Sequence, residues 1–182
     1  MSEKPMGETP SYTIRIASCE DARSIGEVHV ASWLTTYRGI VADEFLDRAT
    51  ADERAELWQR LLCVESPRSF IYVAVVDGQI VGFAGGGPGR DSDPDFSSEL
   101  YTLYLLQAQQ RAGIGRALLT AVANRLVQEG HTNMLIWVLA QNPAVRFYEA
   151  CGGVLARRKM IAWGGKDLEE LGYGWSNLNT IH

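Results

Sequence analysis

The chain has 182 residues, 46% of them apolar and 21% charged, with a formal charge of −5 and a pI near 5.2. That length and balance describe one globular domain able to bury its own core. They exclude a general nucleic-acid binder, which shows a basic face, and no apolar run is long enough to span a membrane.

In chain order, "MSEKPMGETPS" (1–11) is polar and has no apolar signal-peptide core, so it reads as a flexible tail on a cytoplasmic protein. "YTIRIAS" (12–18) alternates like a short strand. Ile25, Val28, His29 and Trp33 then recur at helical steps until "TTYRGI" (35–40) breaks the pattern. A second helix restarts at "ADERAELWQRLL" (51–62), with Ala55, Leu57, Trp58, Leu61 and Leu62 on one face. Residues 70–86 form a hairpin around Asp77-Gly78, and Pro88, Gly89 and Pro94 punctuate the loop that follows. The glycines of 82–90 permit close strand approach.

"SELYTLYLL" (98–106) is the next strand, and a helix runs from Ile114 to a stop at Gly130. "MLIWVLA" (134–140) has the unbroken apolar character of a strand buried on both faces. A short helix follows over 142–153, with Asn142 as its cap and Gly152 at its exit. Residues 154–163 and 170–177 pair as a terminal hairpin across "GGKD". The β-α-β crossover makes strands 98–106 and 134–140 parallel neighbours in a mixed α/β sheet. The chain shows no internal repeat. Cys19, Cys63 and Cys151 have no metal-ligand spacing and read as free buried thiols, and His29 and His131 have no partners at such spacing, so no metal is expected.

"QQRAGIGRALL" (109–119) joins a strand end to a helix start. There the unpaired N–H groups and the positive end of the helix dipole face whatever lies beyond the strand. Gly113 and Gly115 let backbone approach an anion, and Arg111 and Arg116 add positive charge. The segment is not a P-loop, lacking Gly-Lys-Ser/Thr, nor a dinucleotide fingerprint, because Leu118 stands where the third glycine belongs. Spacing alone leaves an anion cradle and a structural turn both open.

"SELYTLYLLQAQQRAGIGRALL", with "WVLAQNPAVRFYEACGG" downstream, resembles the GCN5-related N-acetyltransferase (GNAT) family. Gln110, Gly113 and Gly115 match its acetyl-CoA signature, Gln/Arg-x-x-Gly-x-Gly/Ala. Asn142, Ala144, Phe147, Tyr148 and Gly152 match a second pattern, whose alanine the family places one residue later. "VHVASWLTTYRGI" and "DEFLD" are similar to the first two helices of a bacterial branch. The likeness spans residues 12–178 as one domain.

The resemblance implies an acyl-CoA N-acyltransferase fold of about seven strands, with a splayed central parallel pair flanked by about four helices. It implies an enzyme that transfers the acetyl group of acetyl-CoA directly to an amine in a ternary complex. By that likeness, backbone groups of Leu103, Tyr104 and Leu105 serve the pantetheine arm and acetyl carbonyl. Gln110 counts among the cofactor-binding residues, the N–H groups of Arg111, Ala112, Gly113, Ile114, Gly115 and Arg116 hold the pyrophosphate, and Asn142 contacts the arm near the thiol.

Glu99, on the face of Tyr101, Leu103 and Leu105 by strand alternation, is the implied general base. The bland alternative is a solvated strand-start glutamate. Tyr148 matches the family's acid for the leaving thiolate, or else simply packs in the core. Trp33 and Tyr37 either face the acceptor or pack inside. Asp91, Asp93 and Asp95 lie on a loop that could line the acceptor entrance. The expected partner is a small molecule or peptide bearing an amine, with no nucleic acid and no membrane, and the C-terminal strands offer an edge for a homodimer. A non-catalytic acyl-CoA-binding or regulatory module of the same fold, and a nucleotide-binding α/β domain, are the rival readings.

Overall fold

The computed structural model describes residues 11–63 and 69–181, so the tail expected over 1–11 lies, apart from Ser11, outside the described residues. Seven strands form one sheet: β1 (Tyr12–Ile16), β2 (Phe70–Val76), β3 (Gln79–Pro88), β4 (Ser98–Leu105), β5 (Met134–Leu139), β6 (Val154–Trp163) and β7 (Lys166–Trp175). Their order is β1-β2-β3-β4-β5-β7-β6, and only β4 and β5 run parallel. The helices are α1 (Ala22–Tyr37), α2 (Asp43–Leu46), α3 (Ala51–Cys63), α4 (Ile114–Gln128) and α5 (Ala144–Ala150).

α4 and α5 cover one face of the sheet. Leu118, Val122 and Leu126 of α4 pack on Met134, Ile136 and Val138 of β5, and Tyr148 and Cys151 complete this core. Both helices end as their glycines dictate. Gly130 (φ 89°) and Gly152 (φ 85°) take the left-handed conformation, while His131 N–H donates to Leu126 O and Gly153 N–H to Tyr148 O, each at 2.9 Å. On the other face, Ile25 and Val28 of α1 and Trp58 of α3 bury against Val73 and Phe83.

Several boundaries differ from the sequence pattern for identifiable reasons. α1 continues through Thr35 and Thr36 because Tyr37, one turn after Trp33, is buried against it, while the Thr35 hydroxyl donates back to the Ala31 and Ser32 carbonyls at 3.1 Å; the break falls at Arg38. In α3 only Trp58 is buried, and Leu61 is 53% exposed. The terminal hairpin turns on Gly164-Gly165 alone (φ 56° and 77°), which returns Lys166 and Asp167 to the strand. The 82–90 glycines do leave room: a Cβ on Gly86 would sit 2.8 Å from Val122 Cγ1. Cys19 and Cys63 are not buried free thiols. They form a disulfide joining the turn before α1 to the end of α3, with Cα atoms 5.2 Å apart, and Cys151 alone is buried and free.

A β-bulge reorients β4. Its register with β3 slips between Gly85 and Gly86, so Leu100 and Thr102 are paired and Tyr101 is skipped. Leu100, Leu103 and Leu105 therefore all belong to the α4-side core. The expectation that Glu99 shares their face fails, because strand alternation does not survive an extra residue.

Candidate active site

β4 and β5 form a single rung, Glu99 opposite Leu135, and pair no further. Beyond it, β3 is the only strand paired with 100–105 among the described residues. A parallel pair buried between two helical layers would ordinarily zip along its length, so this seam leaves β4 polar groups facing an opening.

The chain leaves β4 through a 3-10 turn at 107–109 and enters α4 by way of two left-handed residues, Arg111 (φ 66°) and Gly113 (φ 83°). Gly113 is the N-cap and offers no side chain, and the first helix bond closed onto it is Ala117 N–H to Gly113 O at 3.0 Å. The N–H groups of Ile114, Gly115 and Arg116 precede that bond, at the positive end of the helix dipole. Gly113 is required by its φ, since a Cβ there would meet only Tyr12 Oη at 3.7 Å. Ala112 is half-buried, and the Gln110 amide donates to Leu105 O at 3.4 Å. The Arg116 guanidinium donates to Ala150 O at 3.1 Å, at the C-terminal end of α5.

Asn142, buried just beyond β5, caps α5 by accepting from Ala144 N–H at 2.9 Å. Tyr148 projects from α5 into the core at 4% exposure, and burial, with Tyr104 and Cys151 nearby, pushes its hydroxyl pKa well above the ordinary phenol value. Tyr104 turns its ring to the α1 side, where its hydroxyl accepts from Trp33 Nε1 at 2.9 Å and lies near the Tyr37 hydroxyl. Burial, Tyr104 and Glu170 all raise the Tyr37 pKa.

Trp33 and Tyr37, each 9% exposed, join Phe45 and Trp163 in an aromatic cluster. Arg54 stacks 4.4 Å above Trp33. His29 sits behind Trp33; its Nδ1 accepts from Trp58 Nε1 at 3.1 Å, and burial reinforced by Arg54 drives its pKa to about 3, so the ring is neutral.

Glu99 is 4% exposed and lies at the closed end of the seam, where a small cavity of about 30 Å³ includes Leu135 and Trp137. Arg90 holds both its oxygens: Nε donates to each at 3.1 Å, the Arg90 backbone N–H donates at 3.1 Å, and the terminal nitrogen closes the pair. In the 87–97 loop, Asp93 accepts from the Asp95 and Phe96 N–H groups and pairs with Arg157 at 3.0 Å, while Asp95 also meets Arg157 and Asp91 is exposed. A larger cavity of about 170 Å³ opens at the end of β5 between Ile40, Leu139, Ala140, Gln141, Leu168 and Glu169.

The structure thus gathers Tyr104, Tyr148, Trp33 and Tyr37 around the opened seam, and leaves Glu99 in an ion pair at its closed end. Sequence reasoning missed Phe45, Arg54, Trp137, Trp163 and Glu170, which come from five separate elements and carry no local motif. Among the described residues no group of histidine, cysteine or acidic side chains is placed to hold a metal, and no helix is long and apolar enough to cross a membrane.

Comparison with known proteins agrees with this layout. The acetyltransferase (GNAT) family model matches residues 30–153. The uncharacterized N-acetyltransferase YuaI of Bacillus subtilis (strain 168) is 36% identical over 169 residues, 93% of this chain and 95% of the relative. Among solved structures, the PaiA N-acetyltransferase of Thermoplasma acidophilum in complex with coenzyme A superposes with a TM-score of 0.67 at 22% identity, covering 88% of this chain and 98% of that one. YncA of Salmonella typhimurium with its cofactor acetyl-CoA gives 0.68 at 23% identity, covering 92% and 94%. A one-rung parallel pair running into an uncapped helix start, in a chain matched along most of its length, places this protein in the GNAT family of acetyltransferases.

Proposed function

We propose that the protein, as a single domain over residues 12–178, transfers the acetyl group of acetyl-CoA to the amine of a small molecule or peptide within a ternary complex. The observation that carries the reading is the single Glu99–Leu135 rung beside the side-chain-free N-cap at Gly113. The unpaired β4 edge at Leu103, Tyr104 and Leu105 would hold the pantetheine arm, and the N–H groups from Arg111 to Arg116 would hold the pyrophosphate. Asn142, at the mouth of the seam, would meet the arm near its thiol. The complexes of PaiA with coenzyme A and of YncA with acetyl-CoA support that donor.

An alkylamine with pKa near 10.4 is only about one part in a thousand neutral near pH 7.4, a penalty of roughly 4 kcal/mol that a base offsets. Glu99 takes that role, directly or through water, and Tyr148, which burial keeps protonated, supplies the proton to the departing thiolate. The Arg90 pair on Glu99 favours the rival reading, a non-catalytic acyl-CoA-binding module, because both carboxylate oxygens are engaged. Single-turnover transfer from acetyl-CoA across a panel of amine classes separates the two. Stoichiometric CoA release with an N-acetyl product supports the enzyme, and CoA binding without product from any amine supports the module.

A further inference from the structure

The sheet face opposite α4 is packed by aromatic side chains at both ends of β7. Along β7 on that face stand Leu168, Glu170, Gly172 and Gly174. Leu168 belongs to the cluster with Trp33, Tyr37 and Leu139 at one end. Phe96 of the 87–97 loop lies against Gly174 at the other. Between them Trp137 spreads its ring over Gly172, where an added Cβ would stand 3.3 Å from the ring and 2.8 Å from Arg157 Cβ. Only glycine leaves the indole lying flat along the sheet.

Above that ring sits an amine. Lys159 Nζ lies 3.8 Å from the Trp137 centroid and 3.5 Å from Glu170 Oε2. An aromatic face and a carboxylate converging on one point are the two groups that recognise a primary ammonium. Their position bears on the chemistry. Leu139 and Leu103 each lie four residues beyond the Glu99–Leu135 rung (139 − 135 and 103 − 99), and Glu170 pairs with Leu139. On the α1 side, away from α4 and the glycine loop, Trp137 of β5 therefore borders the seam and Glu170 stands one strand further out, on β7 beside Leu139. The occupant is also unusual for this chain: of its 17 basic residues only Lys4, Lys159 and Lys166 are lysines. A lysine, unlike an arginine, is a butylammonium on a tether, and its side chain here is 38% exposed and free to swing out.

We propose that Trp137 and Glu170 form the subsite that receives the acceptor's ammonium group, and that Lys159 fills it in the resting protein until an acceptor displaces it. The inference rests on the acetyltransferase reading and narrows it to primary amines at the end of an unbranched aliphatic chain. Trp137 and Glu170 hold and orient the amine, while Lys159 acts as an internal competitor.

The test uses n-butylammonium, the free counterpart of the lysine side chain, titrated by calorimetry into the whole protein, with 1-butanol as the neutral control. Lys159→Met should tighten n-butylammonium binding about three- to tenfold over the wild type, with no gain for butanol. Adding Trp137→Leu or Glu170→Gln to Lys159→Met should abolish the gain. With any amine found to be acetylated, Lys159→Met should lower KM for the amine and leave KM for acetyl-CoA unchanged. A Lys159→Met protein that CoA still protects from melting, yet that binds n-butylammonium no better than the wild type, overturns the subsite. Absence of CoA protection in the wild type overturns the acetyltransferase reading instead, so the two failures are distinguishable.

Discussion

The two faces of the sheet are built in different ways. On the α4 side the core is closed: Ile114, Leu118, Leu119, Val122 and Leu126 have no exposed surface, Phe70, Tyr148, Tyr173 and Trp175 are buried with them, and α4 begins on bare backbone amides. On the α1 side the contacts are between side chains: Arg54 over Trp33, Arg90 over Tyr101, Arg157 over Phe96 and Lys159 over Trp137, with Glu99, Asp93, Asp95 and Glu170 paired to three of those cations. Backbone recognition depends on φ, ψ and the helix dipole, and so tolerates change in the side chains around it. Side-chain recognition changes with each substitution. A fixed donor on one face and a variable acceptor on the other is the division of labour this contrast supports.

The contrast can be broken most sharply at Gly113. Asp there must adopt a left-handed conformation and sets a carboxylate against the amides, so CoA affinity should fall roughly 100-fold or more. Calorimetric titration with CoA checks this, and an unchanged Kd would mean the α4 start binds no phosphate. Next in size is Tyr148→Phe, expected to lower kcat by about 100-fold with little change in CoA affinity. Stopped-flow transfer rates decide it, and an unaltered kcat removes the acid.

The α1 face offers two smaller tests, both read as stability. Reducing the Cys19–Cys63 disulfide frees a loop of sequence separation 44, and opening such a loop costs about 2–4 kcal/mol. A reductant should therefore lower Tm, whereas Cys63→Ser should melt at one temperature with or without it. His29 gives the pH dependence. Its folded pKa of about 3 lies below the unfolded value, so the unfolded chain binds the extra proton as pH falls, and stability is lost downward from about pH 6.5 towards 3. Between pH 6.5 and 5 the loss should be about 2 kcal/mol, read from urea midpoints, and His29→Phe should flatten that slope. Asp21, held at about 2 by its Arg15 bond, adds a separate loss only below about pH 4. A slope at pH 5 that survives His29→Phe would place the titrating group elsewhere.

Legibility followed the same divide. The hairpin at Asp77-Gly78, the α4 stop at Gly130 and the α5 cap at Asn142 all formed as read, because each depends on a few adjacent residues. Thr35 and Thr36 misled because the helix is carried past them by Tyr37, which packs on Trp33 and on Trp163 from a distant strand. The face of Glu99 was misread because one skipped residue, Tyr101, inverts alternation, and a bulge has no composition of its own. The Cys19–Cys63 pair was unreadable because 44 residues separate two cysteines that only the α1–α3 packing brings together.

Strand and helix order, the parallel crossover from β4 to β5 and the bare helix start at Gly113 are written along the chain, since local dihedral preference and hydrophobic period specify them. It takes the folded sheet to part β4 from β5 after one rung, to set Arg90 on Glu99, and to rest Lys159 between Trp137 and Glu170. Those features come from residues that are distant in the chain and meet across strands, and their energies exist only once the sheet has brought them within a few ångströms of one another.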